Sequence, residues 1–181
     1  VALTETEMMS QGAAIRATLE ANEAPLADIA SDLAGRSIRR IAMVGCGDSW
    51  ISGVGIRHAV ERLLGAVCEP CEAFDFTTYG LDVIDAETVV IGLSSSGKTD
   101  PVIDGLKGAE ARGAYAIGLS NTLGSPLMEE FPGALHIRAT RGGWPTQSST
   151  AAMALKLALA ASIAEARGRS EERRVGKECT L

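Results

Sequence analysis

The stretch Val89-Val-Ile-Gly-Leu-Ser-Ser-Ser-Gly-Lys-Thr-Asp-Pro101 decides the fold. An apolar run ends abruptly in serines, a glycine, a lysine and a threonine, and a helical pattern follows over 100–112. That order reads as a strand, a hydroxyl-rich turn and a helix N-terminus. Unpaired N–H groups and the positive end of the helix dipole converge at such a turn, which suits an anion and above all a phosphate. The strand is apolar at nearly every position, which implies burial on both faces, as in a parallel sheet.

The same alternation extends to either side. A strand over 37–44 runs into Gly45-Cys-Gly-Asp-Ser49, and a helix over about 50–64 is stopped by Gly65. Further strands are expected at 66–73, 87–93, 114–119 and 134–137, with a short helix or loop at 74–80. Ser125 and Pro126 read as N-cap and first position of a brief helix over 127–131. A third polar loop, Thr140-Arg-Gly-Gly-Trp-Pro-Thr-Gln-Ser-Ser-Thr150, leads into a long, almost wholly apolar helix over 151–166. Ahead of the first strand, helices over 4–21 and 26–33 are separated at Pro25, and Gly35 closes the second. Strands alternating with helices give an α/β fold: a five-stranded parallel sheet between two helical layers. The polar loops after strands one, three and five then share the carboxyl edge of the sheet, where such folds bind ligands.

Composition narrows the function. The chain has 181 residues with 46% hydrophobic content, enough for one core, and its domain is read as 1–168. A net charge of −6 argues against nucleic acid and anionic membranes as partners. No basic segment precedes an apolar run near Val1, and the longest apolar run, 151–164, contains Lys156 and Ser162. That run is shorter than the roughly 20 residues of a membrane span, so a cytoplasmic location is expected. Cys68-Glu-Pro-Cys71 has the spacing of a redox or metal pair but falls on a strand, and no second pair completes a zinc site. Cys46, Cys68, Cys71 and Cys179 are therefore read as core or surface residues, and no metal or cofactor is expected. The segment from Arg169 onward breaks the pattern and is similar to a translated sequencing adapter, so 169–181 is set aside as non-native.

Two nucleotide readings compete for the glycine turns. Gly92-Leu-Ser-Ser-Ser-Gly-Lys-Thr99 satisfies the phosphate-loop pattern of nucleotide hydrolases. Pro101, two residues past Thr99, favours a helix start at Thr99 or Asp100, whereas that loop winds its Lys and Thr into the first helical turn. The later strands also lack the terminal Asp that would hold Mg²⁺. Gly45-Cys-Gly47 begins a dinucleotide fingerprint, but Trp50 stands where its third glycine belongs and no acidic residue is read at the end of the second strand.

A third reading covers more of the chain. Ser94-Ser-Ser-Gly-Lys-Thr99 resembles the S-x-S-G-x-T phosphate loop of the SIS (sugar isomerase) domain family. Val44-Gly-Cys-Gly-Asp-Ser49 is similar to that family's G-C-G-T-S loop, and Ser148-Ser-Thr-Ala-Ala152 to its A-S-T-K-A segment. The three occur in the family's order and the resemblance spans about 4–168, with Gln11 in a helical lead-in of the family's kind. The resemblance implies a doubly wound, flavodoxin-like sheet and a phosphorylated sugar as ligand. It is strongest to the first SIS domain of isomerising aminotransferases that act on ketose 6-phosphates, with isomerases and deglycases of the same class close by. Such chemistry opens the sugar ring and moves a proton between C1 and C2. The competing implication is a non-catalytic sugar-phosphate sensor carrying a single domain.

Carried over by position, Ser94, Ser96 and Thr99 would donate to the phosphate, with backbone N–H near Gly97 and with Ser95 where the family often has Gln. Ser49, beside Cys46 and Gly47, would contact the ligand from the first loop, and Ser149 from the third. Lys98 stands where the family commonly has Glu, and either attracts the phosphate or faces solvent. Asp48 replaces Thr and is read as a cap of the following helix. Trp144-Pro-Thr-Gln147 replaces an acidic-aliphatic approach to the last helix. The resemblance to isomerising aminotransferases implies an acid and base in a second SIS domain, and His58 and His136 read as structural, so no catalytic residue is nominated. A homodimer, or pairing with a second SIS domain, is expected through helices flanking the site.

Overall fold

The computed structural model describes residues 2–169; Cys179 and the segment 170–181 lie outside the described residues. Strands β1 (Arg40–Gly45), β2 (Val67–Glu72), β3 (Thr88–Leu93), β4 (Tyr115–Ser120) and β5 (Gly133–His136) form one sheet in the order β2-β1-β3-β4-β5. Every neighbouring pair is parallel, with Ile41 opposite Cys68 and Val89, Ile91 opposite Ile117, and Leu119 opposite Leu135. The chain moves outward from β1 to β2, crosses back, and adds β3, β4 and β5 on the other side. Strand order therefore reverses between β1 and β3, and a crevice opens between the loops that follow them. The expected doubly wound α/β fold is the one observed, with strand ends shifted by up to three residues.

The sequence assigns each strand its place. All of β3 is buried, as its unbroken apolar run requires of a central strand. Pro70 has no N–H to give a ladder and lies in β2, an edge strand. The opposite edge, β5, is closed by a side chain. Asn22, 1% exposed, donates its amide to the His136 carbonyl (2.7 Å) and accepts from the His136 N–H (2.9 Å).

Two helical layers cover the sheet. On one face α6 (Ala73–Tyr79), α7 (Asp100–Glu110) and α8 (Pro126–Glu129) place Phe76, Val102, Leu106 and Leu127 in one cluster with Val44, Val90 and Ala116. On the other, α3 (Glu23–Ala34), α5 (Arg57–Leu64) and α9 (Thr146–Ala166) bring Leu33, Val60, Leu155 and Leu159 to Ile41, Ile91 and Ile117. Each such Leu or Ile contributes about 1.5–3 kcal/mol by leaving water, so this stack is the main source of stability. Helix α9 is long and apolar enough, by length and composition, to cross a membrane. Its buried residues, Lys156 among them, belong instead to the core of the domain.

Four expectations need correction. The helix expected at 4–21 is two, α1 (Ala2–Met9) and α2 (Gln11–Ala21), because Ser10 turns its hydroxyl back to the Thr6 carbonyl (2.8 Å). Pro25 does not separate the next helix; it sits in the first turn of α3, where a missing N–H is harmless, and the break falls at Asn22. The helix expected at 50–64 is also two, α4 (Asp48–Val54) and α5, with Met153 of α9 seated against Gly55 at the break. Helix α9 begins at Thr146 rather than 151, so the end of the third polar loop is its first turn.

Candidate functional site

The turn after β3 is braced by its own hydroxyls. Ser94 is buried, and its Oγ lies 2.7 Å from Thr99 Oγ1 and 3.3 Å from Ser96 Oγ while accepting from the Gly97 N–H at 3.1 Å. Ser96 is exposed, and its Oγ accepts from the Lys98 N–H (3.3 Å). Gly97 has φ +66°, and a Cβ there would collide with Ser125 Oγ and stand 2.9 Å from Ser120 Oγ. The Gly97 carbonyl accepts from the Leu127 N–H (3.2 Å), which seats α8 on the turn. Thr99 is extended (φ −76°, ψ 105°) just ahead of α7, and Pro101 lies in the first turn of that helix. Lys98 is thus outside the helix and exposed, the solvent-facing alternative for that residue.

Ser95 faces a different way. Its Oγ donates to Asn121 Oδ1 (3.0 Å), and the Asn121 amide donates onward to the Ala139 carbonyl (2.9 Å). The Ser95 carbonyl accepts from the hydroxyls of Ser120 and Thr122, both at 3.1 Å. Ser95 and Asn121 therefore tie the serine turn to the loops after β4 and β5.

The turn after β1 is held differently. Gly47 has φ +55° and ψ −125°, a conformation open to glycine, and a Cβ there would meet nothing within 4 Å. Asp48 does not cap α4; it is the first helical residue, and no side-chain cap bond is present. Its carboxylate instead accepts from Ser149 Oγ (3.4 Å) and pairs with Arg141 (3.4 Å), joining the first loop to the third. Ser49 follows, its N–H donating to the Cys46 carbonyl (3.1 Å). The Cys46 side chain packs with the α6–α7 side of the sheet. Burial and a hydrogen bond to Glu72 push its thiol above the usual range.

These loops enclose a cleft. Asp48, Ser49, Ser95, Asn121, Ser148 and Ser149 line its polar walls, with Leu93, Ile137 and Ala152 as the apolar floor. Ser94, Ser96, Gly97 and Thr99 lie in the adjoining turn, and Cys46 and Gly47 lead into Ser49. Asn121 and Arg141 were not anticipated. The order β3-β4 places the β4 loop beside the serine turn, but strand order is not readable from a single sequence. The third loop is anchored from below by α1: buried Glu7 accepts from the N–H groups of Gly142 (2.7 Å) and Gly143 (3.0 Å) and from Thr140 Oγ1 (2.8 Å). Those bonds hold its carboxyl below the usual range. Trp144, 78% exposed, stands four residues before Ser148 on the same approach.

Other candidate groups do not line the cleft. Cys68 belongs to the cluster on the α9 side of the sheet and Cys71 packs against the opposite one. Burial pushes their thiols up to about 12 and about 11, which makes them poor redox partners. His58 is exposed and contacts Glu61, while His136 Nε2 lies 3.2 Å from the Asn121 carbonyl. An acidic residue does end β2, contrary to the sequence reading. Glu72 caps α6 by accepting from the N–H groups of Phe74 (2.8 Å) and Asp75 (3.4 Å), so it is not presented as a free ribose contact.

A doubly wound sheet with a hydroxyl-lined turn at its switch point defines an α/β ligand-binding domain. The chain belongs to the SIS domain family, whose pattern matches residues 36–166. It is 30% identical over 136 residues to the glutamine–fructose-6-phosphate aminotransferase (isomerizing) of Bacteroides thetaiotaomicron, covering 74% of this chain and 22% of that enzyme. Among solved structures, the C-terminal domain of glucosamine-fructose-6-phosphate aminotransferase from Francisella tularensis superposes with a TM-score of 0.77 at 20% identity. That match covers 95% of this chain and 50% of the other. The Vibrio vulnificus NanR protein complexed with ManNAc-6P gives a TM-score of 0.74 at 20% identity, covering 98% of this chain and 69% of NanR. The chain spans about a fifth of the length of the curated relatives it matches.

Proposed function

We propose that this chain binds a phosphorylated sugar at the carboxyl edge of its sheet, as a domain of an isomerising aminotransferase or a related sugar-phosphate isomerase. The observation that carries the reading is the turn Ser94–Thr99, whose hydroxyls gather at the N-terminus of α7 beside the switch point. Neutral donors at a helix N-terminus bind a phosphate dianion without a metal. In this reading Ser94, Ser96, Thr99 and the backbone at Gly97 take the phosphate, while Ser49 and Ser149 contact the sugar from facing walls of the cleft. The cleft encloses about 10 Å³, space for one water, so the sugar ring lies across its mouth.

The cleft supports binding better than it supports proton transfer. Asp48 is the one carboxylate among its lining residues, and it is engaged by Arg141 and Ser149. The acid and base of an isomerisation would come from outside this cleft. The likeness to NanR with ManNAc-6P favours a second reading, a sugar-phosphate sensor without chemistry of its own. A cytoplasmic location and association through the helices flanking the site, with a second copy or a second SIS domain, complete the proposal. Sedimentation checks the association, and a monomer at high concentration counts against it.

The deciding experiment is ligand-induced thermal stabilisation with fructose 6-phosphate, glucosamine 6-phosphate and ATP–Mg²⁺ in parallel. Stabilisation by the sugar phosphates, lost in Ser96→Ala, is the expected result. Stabilisation by ATP alone, lost in Lys98→Ala, would restore the nucleotide reading. The exposed position of Lys98, outside α7, speaks against that outcome.

A further inference from the structure

Lys156 is 2% exposed, the largest of the fully buried side chains, and lies in α9. Ile41, Met43, Ile91 and Leu159 line the space around it. Its hydrogen-bond partner is a hydroxyl: Nζ lies 2.8 Å from Ser52 Oγ. Ser52, itself buried, donates from that same oxygen to the Ser49 carbonyl (2.7 Å). Ser49 lines the cleft, and its neighbour Asp48 holds Ser149. An unbroken chain thus runs from a core amine to the first turn of α4. Ser149, Ala152 and Lys156 also follow one stripe of α9, at i, i+3 and i+7. Its backbone therefore lies about 10 Å beyond that of Ser149 along the helix axis, and its side chain reaches back until the amine is two hydrogen bonds from the Ser49 carbonyl.

We infer that Lys156 is a positioning residue for the cleft, acting through Ser52 to hold the first turn of α4 in its ligand-ready place when the amine carries its proton. The inference rests on the phosphosugar reading and adds a pH dependence to it. An ammonium group can only donate. With Lys156 charged, Ser52 must accept from Nζ, and its own hydrogen is left for the Ser49 carbonyl. A neutral amine accepts as well as donates. Ser52 can then turn its hydrogen to Nζ, and the Ser49 carbonyl loses its bond. The charge acts in the same direction, since a buried cation beneath the cleft attracts a phosphate dianion.

The surroundings leave this amine free to respond. Strands β1 and β3 and the rest of α9 present aliphatic side chains to it. Cys68 of β2 is the titratable group acting on it, and behind Cys68 stand Glu61 and Arg57 of α5. Burial pushes Lys156 down to about 7, whereas Cys68 is pushed up to about 12 and stays a neutral thiol. The amine therefore changes charge near neutrality while its neighbours hold theirs.

The test is calorimetric titration of the full chain with fructose 6-phosphate at pH 7 and pH 9, a range in which a phosphate monoester stays largely dianionic because its second pKa is about 6. The wild-type Kd is expected to rise about tenfold across that range. Lys156→Met and Ser52→Ala are both expected to flatten the profile; Ser52→Ala keeps the amine and cuts the link, so it decides alone if Lys156→Met does not fold. A wild-type Kd equal at the two pH values overturns the inference and leaves the phosphosugar reading standing. A slope that survives in Ser52→Ala overturns the relay and reduces Lys156 to a remote charge. No binding at either pH, with the protein folded by circular dichroism, overturns the phosphosugar reading and the inference with it.

Discussion

The two turns that flank the switch point do the same work by opposite means. The turn after β3 is braced within itself and by the loop next to it: Ser94 to Ser96, Gly97 and Thr99, and Gly97 packed under Ser120 and Ser125. The turn after β1 has open space around Gly47 and is held from far along the chain, by Arg141 and Ser149 at its tip and by Lys156 through Ser52 at its base. One is a cradle whose hydroxyl bonds lie within a single stretch of sequence and whose outer braces come from the adjacent β4 loop. The other is a suspended segment whose position depends on α9.

The largest effect tests the suspension. The folded-state value of Lys156, about 7, lies below its ordinary 10.5, so the unfolded chain binds this proton more readily than the folded one. The contribution of Lys156 to folding stability then rises as pH increases from about 7 to about 10.5 and levels off beyond either end, by up to roughly 5 kcal/mol at 1.36 kcal/mol per unit. Urea unfolding at several pH values checks this. The difference between wild type and Lys156→Met should show the slope, with the variant more stable at pH 7 because a buried amine has been replaced by an apolar chain of similar length. Equal pH profiles for the two proteins would mean that Lys156 is hydrated in the folded state.

The next contrast sets the glycines against each other. Gly97→Ala combines a positive φ with a collision at Ser125 and should destabilise by about 3 kcal/mol or more. Gly47→Ala meets strain alone, about 1–3 kcal/mol, and should stay folded with a weakened ligand response. Equal losses at the two sites would break the distinction between cradle and suspension. Below these lies Ser94→Ala, which removes the hydroxyl bonded to Thr99 while the Gly97 N–H keeps the Ser94 carbonyl (3.0 Å), and which should lower the denaturation midpoint by the equivalent of about 1 kcal/mol. The smallest change in stability belongs to Asp48→Asn. Its ion pair with Arg141 is partly exposed on both sides, and removing it should change stability by less than about 1 kcal/mol. The same variant should bind fructose 6-phosphate a few-fold more tightly in a titration, because a negative charge has left the proposed anion site.

This contrast also explains what could be read in advance. The alternation of strand and helix and the chemistry of Ser94–Thr99 follow from local pattern, and both the doubly wound sheet and the helix start at Asp100 were legible there. Asp48 was not, because a helix-start carboxylate looks like a cap until Arg141 and Ser149, some 90 to 100 residues later, are seen to reach it. Asn121 was missed because its place beside Ser95 depends on β4 lying next to β3. Lys156 interrupts an apolar run, and the local pattern marks it as no more than a polar residue within that run. Its tie to Ser52 spans 104 positions and leaves no local trace.

The amide of Asn22 has a consequence at a larger scale. By engaging both backbone groups of His136 it takes the place that a sixth strand would occupy, so the β5 end of the sheet has no free ladder to offer at that residue. At the other end, Pro70 interrupts the row of donors along β2. A neighbour cannot join this domain by lengthening its sheet without first displacing α2 or bypassing the proline. The domain resists growth into stacked-strand aggregates for the same reason.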